Sequence, residues 1–140
     1  IVIACDHAGF NTKVELIKYL QEKGYKIEDL GTNSEEPVDY PEFGHKLGER
    51  IESGKYETGI SICGSGNGIN MVVNKHKGLR AAICWNKEIS EMARRHNDAN
   101  VCSIPARYVG IEETFEIVDI FLNTGFEGGR HEIRINKIDT

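Results

Sequence analysis

Five short apolar runs punctuate this chain, and residues at helical spacing follow each of them. The runs span residues 1–5, 25–30, 58–63, 79–85 and 100–104. Most are near-continuously apolar, the pattern of a strand buried on both faces. Alternation of such strands with helices demands a parallel sheet covered on both sides. The helical stretches are equally plain. Val14, Ile17 and Leu20 mark one buried face, with Gly24 as a stop. Pro41 opens the next, where Phe43, Leu47 and Ile51 repeat at helical intervals. Later stretches follow at 69–75, at 87–96 with Ile89, Met92 and Ala93 inward, and at 111–122 with Phe115, Val118 and Phe121 or Leu122 inward. The expectation is one α/β domain over residues 1–140: a three-layer, Rossmann-like, doubly wound parallel sheet in the order 2-1-3-4-5.

Charge and cysteine usage narrow the classes of function. The net charge of −5 argues against nucleic acid and anionic membrane as partners. No apolar run approaches the ~20 residues of a membrane span, and no leader pattern is visible. Cys5, Cys63, Cys84 and Cys102 each sit at or near the end of an apolar run, and none forms a CxxC pair. That usage predicts free thiols in a reducing cytoplasm, with neither a disulfide framework nor a metal site. Of the arginines, only Arg50 precedes residue 80. Arg80, Arg94, Arg95, Arg107, Arg130 and Arg134 all follow, a late set able to hold a small phosphorylated ligand.

The chemistry concentrates in Cys63-Gly64-Ser65-Gly66-Asn67-Gly68, between the third strand and its helix. Glycine at every second position leaves a bare backbone. Such a loop can aim N–H groups and a positive helix end at one anion. A thiol and a hydroxyl inside the same cradle suggest catalysis more than simple binding. In a doubly wound sheet, ligands sit beyond the carboxyl ends of the strands at the switch point. Asp6 and His7 leave strand one there, the glycine loop leaves strand three, and Arg107 follows strand five. His96 and Asn97 instead link a helix to the next strand and belong at the opposite end. Arg130 and Arg134 lie on a polar tail, 125–140. These four residues are therefore expected to act across a subunit boundary, with the tail or a helix within it reaching a partner chain.

Plainer roles exist for most of these residues. Cys63 could be a small buried hydrophobe, Asp6 a helix cap, His96 a partner of a helix dipole and Tyr40 ordinary packing beside Pro41. The glycine loop alone also suits a flavin or nucleotide phosphate. His45, His76 and His131 read as surface residues without a role.

Five segments together resemble the type B ribose-5-phosphate isomerases, a family that includes galactose-6-phosphate and allose-6-phosphate isomerases. They are Cys5-Asp6-His7-Ala8-Gly9, Asp39-Tyr40-Pro41, Ile62 to Gly68, Arg95-His96-Asn97-Asp98-Ala99-Asn100, and Gly128-Gly129-Arg130-His131-Glu132-Ile133-Arg134. They cover nearly the whole chain in order. The resemblance implies cofactor-free, metal-independent interconversion of ribose 5-phosphate and ribulose 5-phosphate through a cis-enediolate, a step of the pentose phosphate pathway. It assigns Cys63 as the base between C1 and C2. Ser65, where many members carry Thr, moves protons between the two oxygens. The backbone of Gly64, Gly66, Asn67 and Gly68 holds the enediolate. Asp6 and a partner chain's His96 assist ring opening. His7, Arg107, Arg130 and Arg134 contact phosphate, while Tyr40 and Asn97 hold the sugar. It also implies a homodimer or tetramer. Some relatives use Glu later in the loop as base; Asn70 and its neighbours here offer no carboxylate. The alternatives are a six-carbon sugar phosphate isomerase and a non-catalytic sugar-phosphate or flavin-binding module.

Overall fold

In the computed structural model, which describes residues 1–139, the five runs form one parallel sheet. Its strands are β1 (Val2–Cys5), β2 (Glu28–Asp29), β3 (Gly59–Cys63), β4 (Ala81–Ile83) and β5 (Val101–Pro105). Each pairs in parallel with its neighbours. β1, β3 and β5 are buried along their whole length, which is why their sequences do not alternate.

The order is β2-β1-β3-β5-β4, which corrects the expected 2-1-3-4-5 at its last two places. β5 is a five-residue run with no exposed position, so it gains most from a seat between two neighbours. β4 has three half-buried residues and takes the edge. Asn100, just before β5, ties both sides together. Gly59 donates its N–H to the Asn100 carbonyl at 2.9 Å, and Asn100 donates its own to Arg80 at 3.0 Å.

This order places the helices. Right-handed crossovers from β1 to β2 and from β4 to β5 run one way across the sheet, and the other two run back. α1 (Phe10–Glu22), α4 (Lys87–Asn97) and α5 (Ile111–Asn123) therefore share one face; α2 (Tyr40–Glu52) and α3 (Asn67–Val73) share the other. Leu16, Leu20, Ile117 and Phe121 pack on Ile3, Ile60, Ile62 and Ile104. Phe43, Leu47, Ile69 and Val73 pack on Val2, Ala4 and Val101. Burying each such side chain contributes about 1.5–3 kcal/mol. The strand period of two sends Ile60 and Ile62 to the first face. Cys63 joins the second, beside α2 and α3.

Cys5, Cys84 and Cys102 lie in the core, and all four thiols are free. The tail differs from expectation in part. Arg130–Ile135 forms a short helix, α6, and His131 is buried rather than a surface residue. Its ring stacks on His96 of α4, with centroids 4.2 Å apart and planes 11° from parallel. Lys13 is a second burial that its charge conceals. It is 1% exposed, and its ammonium donates to Asp29 Oδ1 at 2.6 Å and the Thr32 carbonyl at 2.5 Å. That contact ties the loop after β2 to α1.

Candidate active site

The loop between β3 and α3 closes on itself through its own side chains. Gly66 adopts φ +76°, a conformation that favours glycine, and forms the N-cap of α3. This turn brings the Gly66 N–H to the Cys63 Sγ at 3.1 Å and the Asn67 N–H to the Ser65 Oγ at 3.2 Å. The amides of Gly64, Ser65 and Gly68 donate to no atom among the described residues. The backbone expected to act as one cradle thus divides. Two amides orient the thiol and the hydroxyl, and three remain for a ligand.

The residues that carry those amides line a cavity of about 210 Å³ whose walls also include Asp6, Tyr40, Cys63, Arg107 and Tyr108. Its volume suits a small polar molecule rather than a dinucleotide. Each wall has a local cause. Asp6 leaves β1 and caps a 3₁₀ turn, accepting the Gly9 N–H on Oδ1 at 3.2 Å. The capping role expected as the plain alternative is therefore real, yet the carboxylate also faces the cavity. Tyr40 opens α2 and lies on Gly68, where a Cβ would come within 2.6 Å of the ring. Arg107 lies across Gly64, where a Cβ would come within 3.0 Å of its Nη1. Two backbone bonds seat it there: Ala106 N–H to the Cys63 carbonyl at 2.9 Å, and Arg107 N–H to the Gly64 carbonyl at 3.0 Å. His7 stands beside Asp6 and accepts the Val38 N–H on Nδ1 at 3.1 Å. A neutral His7 ring therefore carries its proton on Nε2, as a donor.

Residues 1–138 of the 140 match the ribose/galactose isomerase family. The chain belongs to that family. Ribose-5-phosphate isomerase B of Escherichia coli is 40% identical over 138 residues, covering 99% of this chain and 93% of that protein. Among solved structures, a ribose 5-phosphate isomerase of Thermotoga maritima has a TM-score of 0.97 at 47% identity, covering 99% of this chain and 95% of that one. The Mycoplasma genitalium ribose-5-phosphate isomerase B, with bound ribulose-5-phosphate, has a TM-score of 0.93 at 39% identity, covering 98% and 91%.

Within this family member, one chain does not gather every expected residue. His96, Asn97, Arg130 and Arg134 are absent from the cavity walls, and so are His7, Gly66 and Asn67, which stand next to lining residues in the chain. Asn97 borders a separate cavity at the amino end of β4, with Arg80 and Ala81. The arginines sort cleanly. Arg50, Arg80, Arg94 and Arg95 pair with carboxylates. Arg107, Arg130 and Arg134 pair with none among the described residues. These three are the arginines assigned to phosphate.

Sequence reasoning missed two residues beside the candidate set. Tyr108 borders the cavity at 78% exposure, and only its place next to Arg107 could have signalled it. Glu127 faces both stacked imidazoles: its Oε2 is 3.9 Å from His96 Nε2 and its Oε1 is 3.8 Å from His131 Nε2. Elsewhere, burial pushes the Cys5 thiol up to about 12, against the opposing charge of Lys13. Burial also pushes Cys102 well up. Both are inert core thiols, unlike Cys63 in the cavity wall.

Proposed function

We propose that this chain interconverts ribose 5-phosphate and ribulose 5-phosphate through a cis-enediolate, in a site completed by a second copy of the chain. The observation that carries this reading is the cavity itself, with a thiol, a hydroxyl, a carboxylate and three unspent amides around about 210 Å³. Removing a proton next to a carbonyl creates an oxyanion, and amides aimed at that charge supply the largest stabilisation, ~3 kcal/mol for a single donor. Cys63 takes the proton from C2 of the open aldose and returns it to C1. The amides of Gly64, Ser65 and Gly68 hold the enediolate. Ser65 carries a proton from O2 to O1. Tyr40 lines the sugar.

The remaining groups serve the ends of the substrate. Opening a furanose takes a proton from the anomeric hydroxyl and gives one to the ring oxygen. Asp6 and the partner copy's His96 are the pair for this exchange. Arg107 and His7 hold the phosphate from one side; Arg130 and Arg134 of the partner copy hold it from the other, and its Asn97 binds sugar hydroxyls. Four unpaired thiols fit the reducing cytoplasm, and no helix of the described residues is long and apolar enough to cross a membrane.

Two measurements test the reading. A panel of five- and six-carbon aldose phosphates should give the highest kcat/KM with ribose 5-phosphate; a six-carbon preference would reassign the substrate. Mixing Cys63→Ala protein with His96→Ala protein, each inactive on ribose 5-phosphate, should restore turnover of ribose 5-phosphate in hybrid oligomers. No recovery despite proven subunit exchange would remove the shared site.

A further inference from the structure

The His96 imidazole has an unusual setting for a proton-transfer group. It is 37% exposed on the last turn of α4, and its ring makes no side-chain hydrogen bond among the described residues. Glu127 lies too far away, at 3.9 Å, for a direct bond, and its carboxylate is already engaged by Arg95 Nη2 at 3.1 Å. The ring of His96 instead lies against the face of His131, stacked at 4.2 Å and 11°.

His131 is costly to keep there. Its side chain is 7% exposed, and its Nε2 is buried without a partner. An apolar side chain would fill the same place without that penalty. The ring is also held neutral. Burial pushes its pKa below the ordinary histidine value, and His96, Arg130 and Arg134 push the same way, while Glu127 opposes them. A neutral aromatic face accepts an imidazolium stacked upon it. His96, Glu127 and His131 bring donor atoms within 4.8 Å of one another. Near-parallel rings aim their lone pairs side by side, however, and the surrounding arginines disfavour a cation.

We propose that His131 is a positioning residue, whose ring holds His96 in the orientation needed for ring opening at the partner's site. The proposal rests on the reading of His96 as a ring-opening group. It gives α6 two tasks, since Arg130 and Arg134 flank His131 on the same short helix.

The chemistry of the two substrates separates these claims. Ribose 5-phosphate is mostly a closed furanose. Ribulose 5-phosphate cannot close one, because its C5 oxygen carries the phosphate. The ketose-to-aldose direction therefore proceeds without ring opening when the open aldehyde is released. His131→Ala should lower kcat on ribose 5-phosphate by about tenfold or more, because small misplacements cost up to ~100-fold. It should change kcat on ribulose 5-phosphate by less than about threefold. His131→Phe keeps the stack and removes the unpartnered nitrogen, so it should fold at least as stably and retain the wild-type ratio of the two rates. Equal losses in both directions for His131→Ala, or a Phe variant whose ratio falls with the Ala variant, would overturn the proposal. His96→Ala is the control. If it too fails to separate the directions, the ring-opening role of His96 falls. If it separates them and His131→Ala does not, only the positioning role falls.

Discussion

The ring of Tyr40 lies directly on the bare Cα of Gly68: a methyl group there would come within 2.6 Å of the phenol Cζ. The first residue of α2 and the first turn of α3 are thereby locked against each other over the cavity. Gly68→Ala should displace the ring and destabilise the fold by about 1–3 kcal/mol, the usual cost of overpacking. Adding Tyr40→Ala should recover most of that stability while KM stays raised. Thermal unfolding and steady-state kinetics on both variants check this. A single variant as stable as wild type would show that the ring moves freely.

Cysteine reactivity should single out Cys63. It is 4% exposed in the cavity wall, whereas Cys5, Cys84 and Cys102 are fully buried. One equivalent of iodoacetamide should abolish turnover, and ribose 5-phosphate should slow the reaction. Cys63→Ser should lower kcat by about 10²–10⁴-fold, the usual contribution of a positioned proton carrier. Peptide mapping that finds another cysteine modified first would contradict the assignment.

The arginines without carboxylate partners should act on binding more than on chemistry. Arg130→Ala and Arg134→Ala should raise KM more than they lower kcat, because a phosphate remote from the reacting carbons is held about equally in ground and transition states. Each should leave thermal stability unchanged, as neither guanidinium joins an ion pair among the described residues. A loss confined to kcat would argue against the phosphate role.

Stability should fall on mild acidification, and His131 should contribute to the fall. Its pKa is lowered by burial and by the charges of His96, Arg130 and Arg134. Above the ordinary histidine value of ~6.5 both folded and unfolded chains leave it neutral, so its contribution is flat. Below that value the unfolded chain takes up a proton that the folded chain refuses, and stability declines until pH reaches the folded value. His131→Phe should flatten the dependence of unfolding free energy on pH in this window. An unchanged slope would show that His131 titrates alike in both states.

The sequence carried the strands, the helices and the residues at the cavity other than Tyr108, because each leaves a local trace. β3 reads as continuous apolar residues, and its glycine loop breaks that pattern at once. What it did not carry were relations between distant segments. Nothing local says that β5 rather than β4 sits beside β3, since both are short runs after helices. The stacking of His131 on His96 is hidden for the same reason: α6 looks polar, and its buried face exists only against α4. Lys13 reads as a solvated helix residue until the Thr32 carbonyl and Asp29 close around it.

The exchange of β4 and β5 also bears on how the chain assembles as it is made. β4 has a single neighbour, β5, so a nascent chain that has reached only residue 83 has no partner for it. The same is true of the far side of β3. Neither ladder can close before residues 101–105 arrive, and the bonds from Ala106 and Arg107 to the glycine loop need the residues just after them. The wall of the cavity and the middle of the sheet are thus completed by the same late stretch of chain. A truncated product ending before β5 would lack both, and would present two unpaired edges to its surroundings.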